Sequence, residues 1–112
     1  MTDPTVSRFA AGMGFKLTTV TVRTLGAATS SGRIPADPVE RKVYLEDTRE
    51  VVRTAGSSDE ISESSLFDDP DKAALYEPGS DVSVPDRTAR VLKVSRLEIG
   101  DEDVDHCRVW LT

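Results

Sequence analysis

Apolar and polar residues alternate with a period of two along much of this chain, which is the pattern of half-buried β-strands. The first such stretch is FKLTTVTVRT, in which Thr18, Val20 and Val22 share one face. Because β-branched residues are stiff about χ1 and pack well on a pleated sheet, the stretch favours a strand over a helix. The strand is predicted to end at Thr24.

Similar alternation predicts further strands later in the chain. RKVYLEDT places Val43 and Leu45 on one face, and HCRVWLT alternates in the same way at residues 106–112. DVSV and RTARVLKVSRL flank Pro85 and Asp86, which form a favourable turn pair, and therefore predict a hairpin with a long return strand. EISESSLF alternates less regularly and is predicted as one more strand.

Three segments interrupt the alternation. Residues 25–40 are rich in Gly, Ser, Pro and Asp, and because their prolines exclude a central strand, they are predicted as a long surface loop. REVVRTAGSSDE has two adjacent valines, Val51 and Val52, and is predicted as a mobile excursion between strands. DDPDKAALYEPG is predicted as a short helical turn with Asp68 or Asp69 as its cap.

The pattern contains about six strands and no long helix. It indicates a mainly β fold, a small barrel or sandwich of about six strands with long loops, and 112 residues fit a single domain over residues 1–112. Aromatic residues make up only 5% of the chain, so aliphatic side chains must fill the core. Since such a thin core makes a monomer marginal, lateral association is expected to add stability.

Charge and cysteine content narrow the class of protein. A formal net charge of −6 argues against broad adhesion to phosphate backbones, which requires Lys and Arg. A single Cys cannot form an internal disulfide. No apolar stretch approaches the roughly 18 residues of a membrane helix, and the start lacks a signal-peptide pattern. The sequence therefore predicts a soluble, cytoplasmic chain.

The candidate nucleophile is Cys107, which follows the only His of the chain, His106. Successive strand residues point to opposite faces, so these two side chains cannot form a catalytic pair with each other. A zinc site would have to take its remaining ligands from carboxylates, which is uncommon for that metal. Cys107 is therefore predicted as a buried packing residue and His106 as a surface or interface residue of a strand.

A cluster of acids is the other candidate for chemistry, namely Asp59, Glu60, Glu63, Asp68, Asp69 and Asp71. It lacks the spacing of a calcium-binding loop and lies in a Ser-rich, Pro-broken stretch, so a charged, solvated face is predicted. No Ser lies in a GxSxG motif, and GMGF is too short for a dinucleotide fingerprint. We expect no enzyme activity, no catalytic residues, no metal site and no cofactor.

The order of these features resembles a known family. TVTVRT, a long Gly and Pro loop, KVYLED, an excursion, SLFDDPDKAALYEPGSDVSVPDRTARVLKVSR and DHCRVWLT follow one another over residues 18–112. In this order the chain is similar to the head-to-tail connector proteins of tailed bacteriophages, in particular the head-closure, or stopper, proteins of siphophages that infect actinobacteria. Many relatives turn the late hairpin on a Gly, whereas this chain has Pro85, Asp86 and Arg87.

The resemblance implies a structural virion protein of the phage neck. Its expected partners are copies of itself in a homo-oligomeric ring, a portal or adaptor protein, a tail terminator or tail tube protein, and the packaged double-stranded DNA in the channel. The ring would close the DNA channel until ejection and provide the surface on which the tail docks. It would assemble in the host cytoplasm and reside in the virion, with no membrane partner and no cofactor.

In that family a loop between the second and third strands faces the channel. The matching segment here is residues 49–58, and its proposed gate residues are Arg49, Val51, Val52, Arg53, Thr54, Gly56, Ser57 and Ser58. Two other classes remain open: another phage ring component, such as a tail terminator or a mainly helical adaptor, and an unrelated small intracellular β binding module.

Overall fold

A computed structural model describes residues 5–26, 28–30, 32–54, 56–101 and 103–112. In chain order the elements are α1 (Arg8–Gly12), β1 (Thr18–Arg23), β2 (Ala28–Thr29), β3 (Gly32–Arg33), β4 (Val39–Glu46), β5 (Glu50–Arg53), β6 (Asp59–Ser62), β7 (Ser64–Asp68), a 3₁₀ helix (Pro70–Tyr76), β8 (Asp81–Val84), β9 (Arg87–Leu97) and β10 (His106–Leu111). In this described part of the chain, no helix is long and apolar enough to cross a bilayer.

Six of the strands form a closed barrel in the order β1-β4-β7-β10-β9-β8, with β8 returning to β1. Every neighbouring pair in it is antiparallel. The predicted mainly β fold and the small barrel of about six strands are confirmed. The two shorter pairs, β2-β3 and β5-β6, are separate hairpins outside the closed sheet.

The core consists of small aliphatic side chains from the inner faces of the barrel strands. In β1 the inward residues are Val20 and Val22, as the alternation predicts. The central cluster is Val20, Val22, Val43, Leu66, Ala73, Tyr76, Val82, Val84, Ala89, Val91, Cys107, Val109 and Leu111. Of the described aromatic residues, only Tyr76 belongs to this cluster, so the core is as poor in aromatic rings as the composition indicates.

The β8–β9 hairpin turns on Pro85 and Asp86, as predicted. The return strand β9 contains a register shift opposite β10, where the pairs change from Trp110↔Lys93 to Leu111↔Val91. Leu92 is the extra residue at this shift, so β9 has a β-bulge there. The bulge places Val91 in the core while Val94 packs against its edge.

Two predictions about irregular segments are wrong. Residues 25–40 are not one loop, because β2 and β3 form a short hairpin and β4 already begins at Val39. Strands of two residues are too short to show any periodicity, which is why the pattern did not reveal them. Ala27 and Ser31, which belong to the predicted loop, lie outside the described residues.

EISESSLF is the other segment that differs, because it belongs to two strands. It divides at Glu63 into the end of β6 and the start of β7. Before the break Ile61 is exposed and Ser62 is buried, whereas three consecutive residues after it, from Ser64 to Leu66, are all buried. The irregular alternation therefore reflects a change of sheet within the segment.

Candidate functional site

The β5–β6 hairpin stands between β4 and β7, the second and third strands of the barrel along the chain. It contains the predicted gate residues except Arg49, which directly precedes β5. The prediction of a mobile excursion is wrong, because this segment forms an ordered pair of strands. The register pairs Arg53 with Asp59 and Val51 with Ile61. Ala55 lies outside the described residues.

The adjacent valines of this segment lie on opposite faces of the hairpin. Val52 is 8% exposed, whereas Val51 is 69% exposed. Ile61, the cross-strand partner of Val51, is 47% exposed. The two neighbouring valines therefore follow the normal alternation of a strand. Val51 and Ile61 form an exposed apolar pair on the outer face of the hairpin.

The two arginines of the predicted gate are paired with acids of the same hairpin region. Arg49 Nε lies 3.5 Å from Glu63 Oε1, and Arg53 Nε lies 3.3 Å from Asp59 Oδ1. Both arginine side chains stay about two-thirds exposed, at 68% and 69%. Exposed pairs of this kind contribute at most about 1 kcal/mol, so another anion can replace either carboxylate.

The tip of the hairpin is closed by its own hydrogen bonds. The backbone N–H of Thr54 donates to the carbonyl of Ser58 at 2.9 Å, and Ser57 N–H donates to the carbonyl of Thr54 at 2.9 Å. Ser57 adopts a φ of 62°, a left-handed conformation that is unfavourable for most non-glycine residues. This turn is therefore a defined structure within the segment that was predicted to be mobile.

The root of the hairpin is attached to β10 by Glu50. Its carboxylate accepts a hydrogen bond from Arg108 Nη2 at 2.7 Å and another from Trp110 Nε1. The Arg108 guanidinium also lies 4.6 Å from the centre of the Trp110 ring. Nothing in the sequence marks Glu50 as a site residue, because an acid next to a valine pair carries no signal for a partner 58 residues away.

Trp110 lies on the outer face of β10 and is only partly buried. Two cations lie over its ring, the Arg108 guanidinium and the Lys93 ammonium, the latter 5.2 Å from the ring centre. The ring thus belongs to a cation and aromatic stack at the hairpin root rather than to the barrel core.

Two acids of the predicted solvated cluster are buried, and that prediction is wrong for them. Asp68 is fully buried and accepts two hydrogen bonds from the Arg41 guanidinium, at 2.8 Å from Nε and 2.6 Å from Nη2. Tyr76 Oη donates to the same carboxylate at 2.7 Å. Burial, and next the charge of Asp68, hold the pKa of Tyr76 well above its usual value.

Asp69, the second buried acid, fastens the N-terminal segment to the barrel. One of its oxygens accepts hydrogen bonds from Ser7 Oγ at 3.2 Å and Phe9 N at 2.9 Å, and the other accepts from Arg8 N at 3.0 Å. Asp69 thus caps the start of α1 from another part of the chain. The remaining acids of the cluster are exposed as predicted, namely Asp59, Glu60, Glu63 and Asp71.

Cys107 and His106 lie on opposite sides of β10, as the strand pattern predicts. Cys107 is fully buried, and its thiol donates to the carbonyl of Asp69 at 3.4 Å. Burial, and next the charge of Asp68, raise the pKa of the Cys107 thiol to about 12. His106 is half-buried and stacks on Phe9 with the ring centres 4.5 Å apart. Cys107 is therefore the packing residue that the sequence predicts.

The polar side chains of this region are engaged in hydrogen bonds and ion pairs with one another and with the backbone. The buried polar groups satisfy one another, and the described residues contain no group of three His, Cys, Asp or Glu side chains placed to hold a metal ion. In comparisons with known proteins, no protein-family model matches this chain, and no curated protein matches it significantly.

Proposed function

We propose that this chain is a structural subunit of the bacteriophage neck, a head-closure protein that forms a ring between the portal or its adaptor and the tail. The observation that carries the proposal is the position of the β5–β6 hairpin. It is inserted along the chain between the second and third strands of the closed six-stranded barrel, where the resembling family has its channel loop.

The form of the hairpin suits a gate. Its root is attached to the barrel through Glu50, whereas its tip, from Thr54 to Ser58, is held by hydrogen bonds within the tip. An element with a fixed root and a self-contained tip can swing as a unit without opening the core. Copies around a ring axis would narrow the channel together, and the apolar pair Val51 and Ile61 gives neighbouring hairpins a surface on which to pack.

The charge of the hairpin supports a weak hold on DNA. Residues 49–63 carry two arginines and four acids, a formal charge of −2. Arg49 and Arg53 are exposed and held by exchangeable pairs, so they can contact phosphates in a salt-sensitive way. The surrounding acids repel the duplex and limit sticking when DNA must leave.

The fold weighs against an adaptor, and its barrel offers no free edge to a peptide-binding module. An adaptor is expected to be mainly helical, whereas this chain is mainly β. A binding module that captures a peptide as an added strand needs a free sheet edge, and each barrel strand is already paired on both sides. A tail terminator remains the closest competing proposal.

A genome-retention assay tests the gate. Particles assembled with Arg49→Ser and Arg53→Ser together, or with residues 54–58 shortened, should form rings and filled heads that lose DNA before tails attach, because the channel is no longer held closed. Retained DNA is measured as nuclease-protected genome per head, with rings checked by microscopy. Arg23→Ser with Arg90→Ser removes the same charge from exposed barrel positions and should retain the genome.

Equal retention in the hairpin variants and the wild type, with rings present, would show that the hairpin is not the gate.

A further inference from the structure

A groove between the β5–β6 hairpin and β9 is a separate feature of the surface. It encloses about 310 Å³. Its walls come from the hairpin, from the segment after the 3₁₀ helix and from β9, and its lining residues are Arg53, Thr54, Pro78, Leu92, Lys93 and Val94. Three apolar side chains and two cations make this lining suitable for a segment that combines apolar and acidic residues.

The β-bulge of β9 builds the apolar part of the groove. Leu92 is the residue without a counterpart in β10, and Val94 lies two positions later. Both side chains are half-buried in the described structure and line the groove. Bulges redirect side chains, and this one lies in the wall of the groove.

Lys93 supplies a positive charge that the described residues do not neutralise. Its side chain is exposed, its ammonium lies over the Trp110 ring, and no described carboxylate forms an ion pair with it. Arg53, across the groove, has only the exposed partner Asp59. Lys93 therefore gives the groove one positive charge that has no ion-pair partner among the described residues, on a chain whose net charge is −6.

The loop between β9 and β10 has the complementary composition. Residues 98–105, EIGDEDVD, include five acids and no Lys or Arg. Its two apolar side chains are displayed, with Ile99 66% exposed and Val104 37% exposed. Asp105 accepts a hydrogen bond from Ile99 N at 2.7 Å, and Val104 N donates to the Asp101 carbonyl at 2.9 Å. Hydrogen bonds within the loop therefore hold its conformation in the single chain.

We propose that the groove binds the β9–β10 loop of a second copy of this chain. Ile99 and Val104 would pack against Leu92 and Val94, and the acids of the loop would face Lys93 and Arg53. A second copy is the occupant that the charges favour, because two chains of net charge −6 repel one another except where a positive groove meets this acidic loop.

This contact would be the lateral interface of the proposed ring, so the inference rests on the proposed function. Loop and groove are different surfaces of one subunit, so the contact is head-to-tail unless two copies exchange loops around a two-fold axis. The first arrangement produces a series of linked subunits, whereas the second produces only dimers.

Cross-linking distinguishes these arrangements. A chain carrying Pro78→Cys and Ile99→Cys should form intersubunit disulfides on mild oxidation, seen as a ladder on a non-reducing gel for a head-to-tail contact, or as dimer alone for a two-fold exchange. The native Cys107 stays silent because it is fully buried and its thiol pKa is about 12. The matched control, Pro78→Cys with Ile34→Cys, uses a residue that is 64% exposed outside the contact and should give no specific product.

A charge exchange tests the chemistry of the contact. Lys93→Glu and Asp103→Lys should each weaken self-association about tenfold in sedimentation, and the two changes together should restore it, because the pair is re-formed with its signs reversed. Lys16→Glu makes the same charge change at another exposed position and should have little effect.

Failure of the double variant to recover, or cross-linking no stronger than in the control, would overturn the inference. The same holds if the wild type stays monomeric at high concentration. The gate variants also change Arg53 and Thr54, which line the groove, so genome retention is scored only in particles whose rings are confirmed by microscopy. Arg49→Ser alone, outside the groove lining, tests the gate without touching the proposed contact. Rings that form through another contact would therefore overturn this inference and leave the proposed gate standing.

Discussion

The pair formed by Arg41 and Asp68 is the most unusual residue-level feature, because it places two charges inside a core of valines and leucines. Both side chains are at most 2% exposed, and Tyr76 and Asp69 share the network. Desolvation of two charges can cancel their attraction, so such a pair is weak evidence for stability. Its hydrogen bonds connect β4, β7 and the 3₁₀ helix to one another.

Breaking this pair should nevertheless be costly. Asp68→Ala leaves the Arg41 guanidinium buried without its main carboxylate, and we expect a loss of about 3–5 kcal/mol in the free energy of unfolding. Urea denaturation followed by circular dichroism measures it. The control is Asp47→Ala, which removes an exposed acid outside this network and whose effect should stay within about 0.5 kcal/mol. A loss for Asp68→Ala below that of the control would contradict the view that the pair is structurally required.

Cys107 should make stability fall in alkaline solution. Its thiol pKa rises from 9.0 to about 12 on folding, so between these values the unfolded chain releases a proton that the folded chain keeps. Stability is then fully present below pH 9 and decreases by up to about 1.4 kcal/mol per pH unit above it. The raised pKa of Tyr76 acts in the same direction, so the difference between the wild type and Cys107→Ala isolates the thiol.

Thiol labelling checks the same property at pH 8. The folded protein should remain unlabelled and the denatured protein should react fully. Rapid labelling of folded protein, or equal alkaline slopes for the wild type and Cys107→Ala, would contradict the burial of the thiol.

Among the elements, the β5–β6 hairpin depends on one carboxylate for its attachment to β10. Glu50→Ala removes the acceptor used by Arg108 and Trp110, and we expect amide exchange in β5 and β6 to rise about tenfold. Exchange in the barrel strands should change little. Hydrogen exchange with mass spectrometry resolves the two regions, and Glu60→Ala, an exposed acid of the same hairpin, is the matched control.

Equal exchange in Glu50→Ala and Glu60→Ala would mean that Glu50 does not hold the hairpin.

The elements that the sequence predicts well are those whose burial follows one period. Apolar and polar residues alternate in five barrel strands because one face of each strand lies against the core; these are β1, β4, β8, β9 and β10. The turn at Pro85 and Asp86 is predicted separately, from the preference of these two residue types for turns. The alternation does not predict β5 and β6, because only Val52 and Ser62 are buried among the described residues of this hairpin.

Long-range polar contacts are equally invisible in one sequence. Asp68 and Asp69 look like members of a solvated acidic run until Arg41, Ser7 and α1 are brought beside them. The sequence marks residues 49–58 as a break in the alternation, but the strand pairing there and the attachment through Glu50 depend on residues farther along the chain. Period and composition therefore predict the barrel, and tertiary contacts decide the site.

At the scale of the whole molecule, the N-terminal segment covers one side of the barrel. Phe9 and Phe15 pack on aromatic rings of the outer face, with Phe15 stacked 4.3 Å from Tyr44 and Phe9 lying 6.5 Å from Phe67. The covering is completed by Asp69 at the start of α1. The protein therefore has a second apolar layer outside its barrel core.

Removing residues 1–15 should uncover this layer. We expect increased binding of a hydrophobic dye and self-association at lower concentration, because the exposed rings of Tyr44 and Phe67 form an apolar patch. Circular dichroism should still report a β-rich fold, since the barrel strands begin at Thr18. Removal of residues 1–4 alone is the control. Dye binding equal to that control would show that the segment is not a cover.

Closure of the barrel has a consequence for how the chain folds. β1 must pair with β8, about 60 residues later, before the sheet has no free edge. During synthesis one edge of β1 therefore stays unpaired until residues 81–84 have left the ribosome. Because such non-local pairing is slow, folding is expected on the millisecond to second timescale, and incomplete chains are expected to aggregate through that edge.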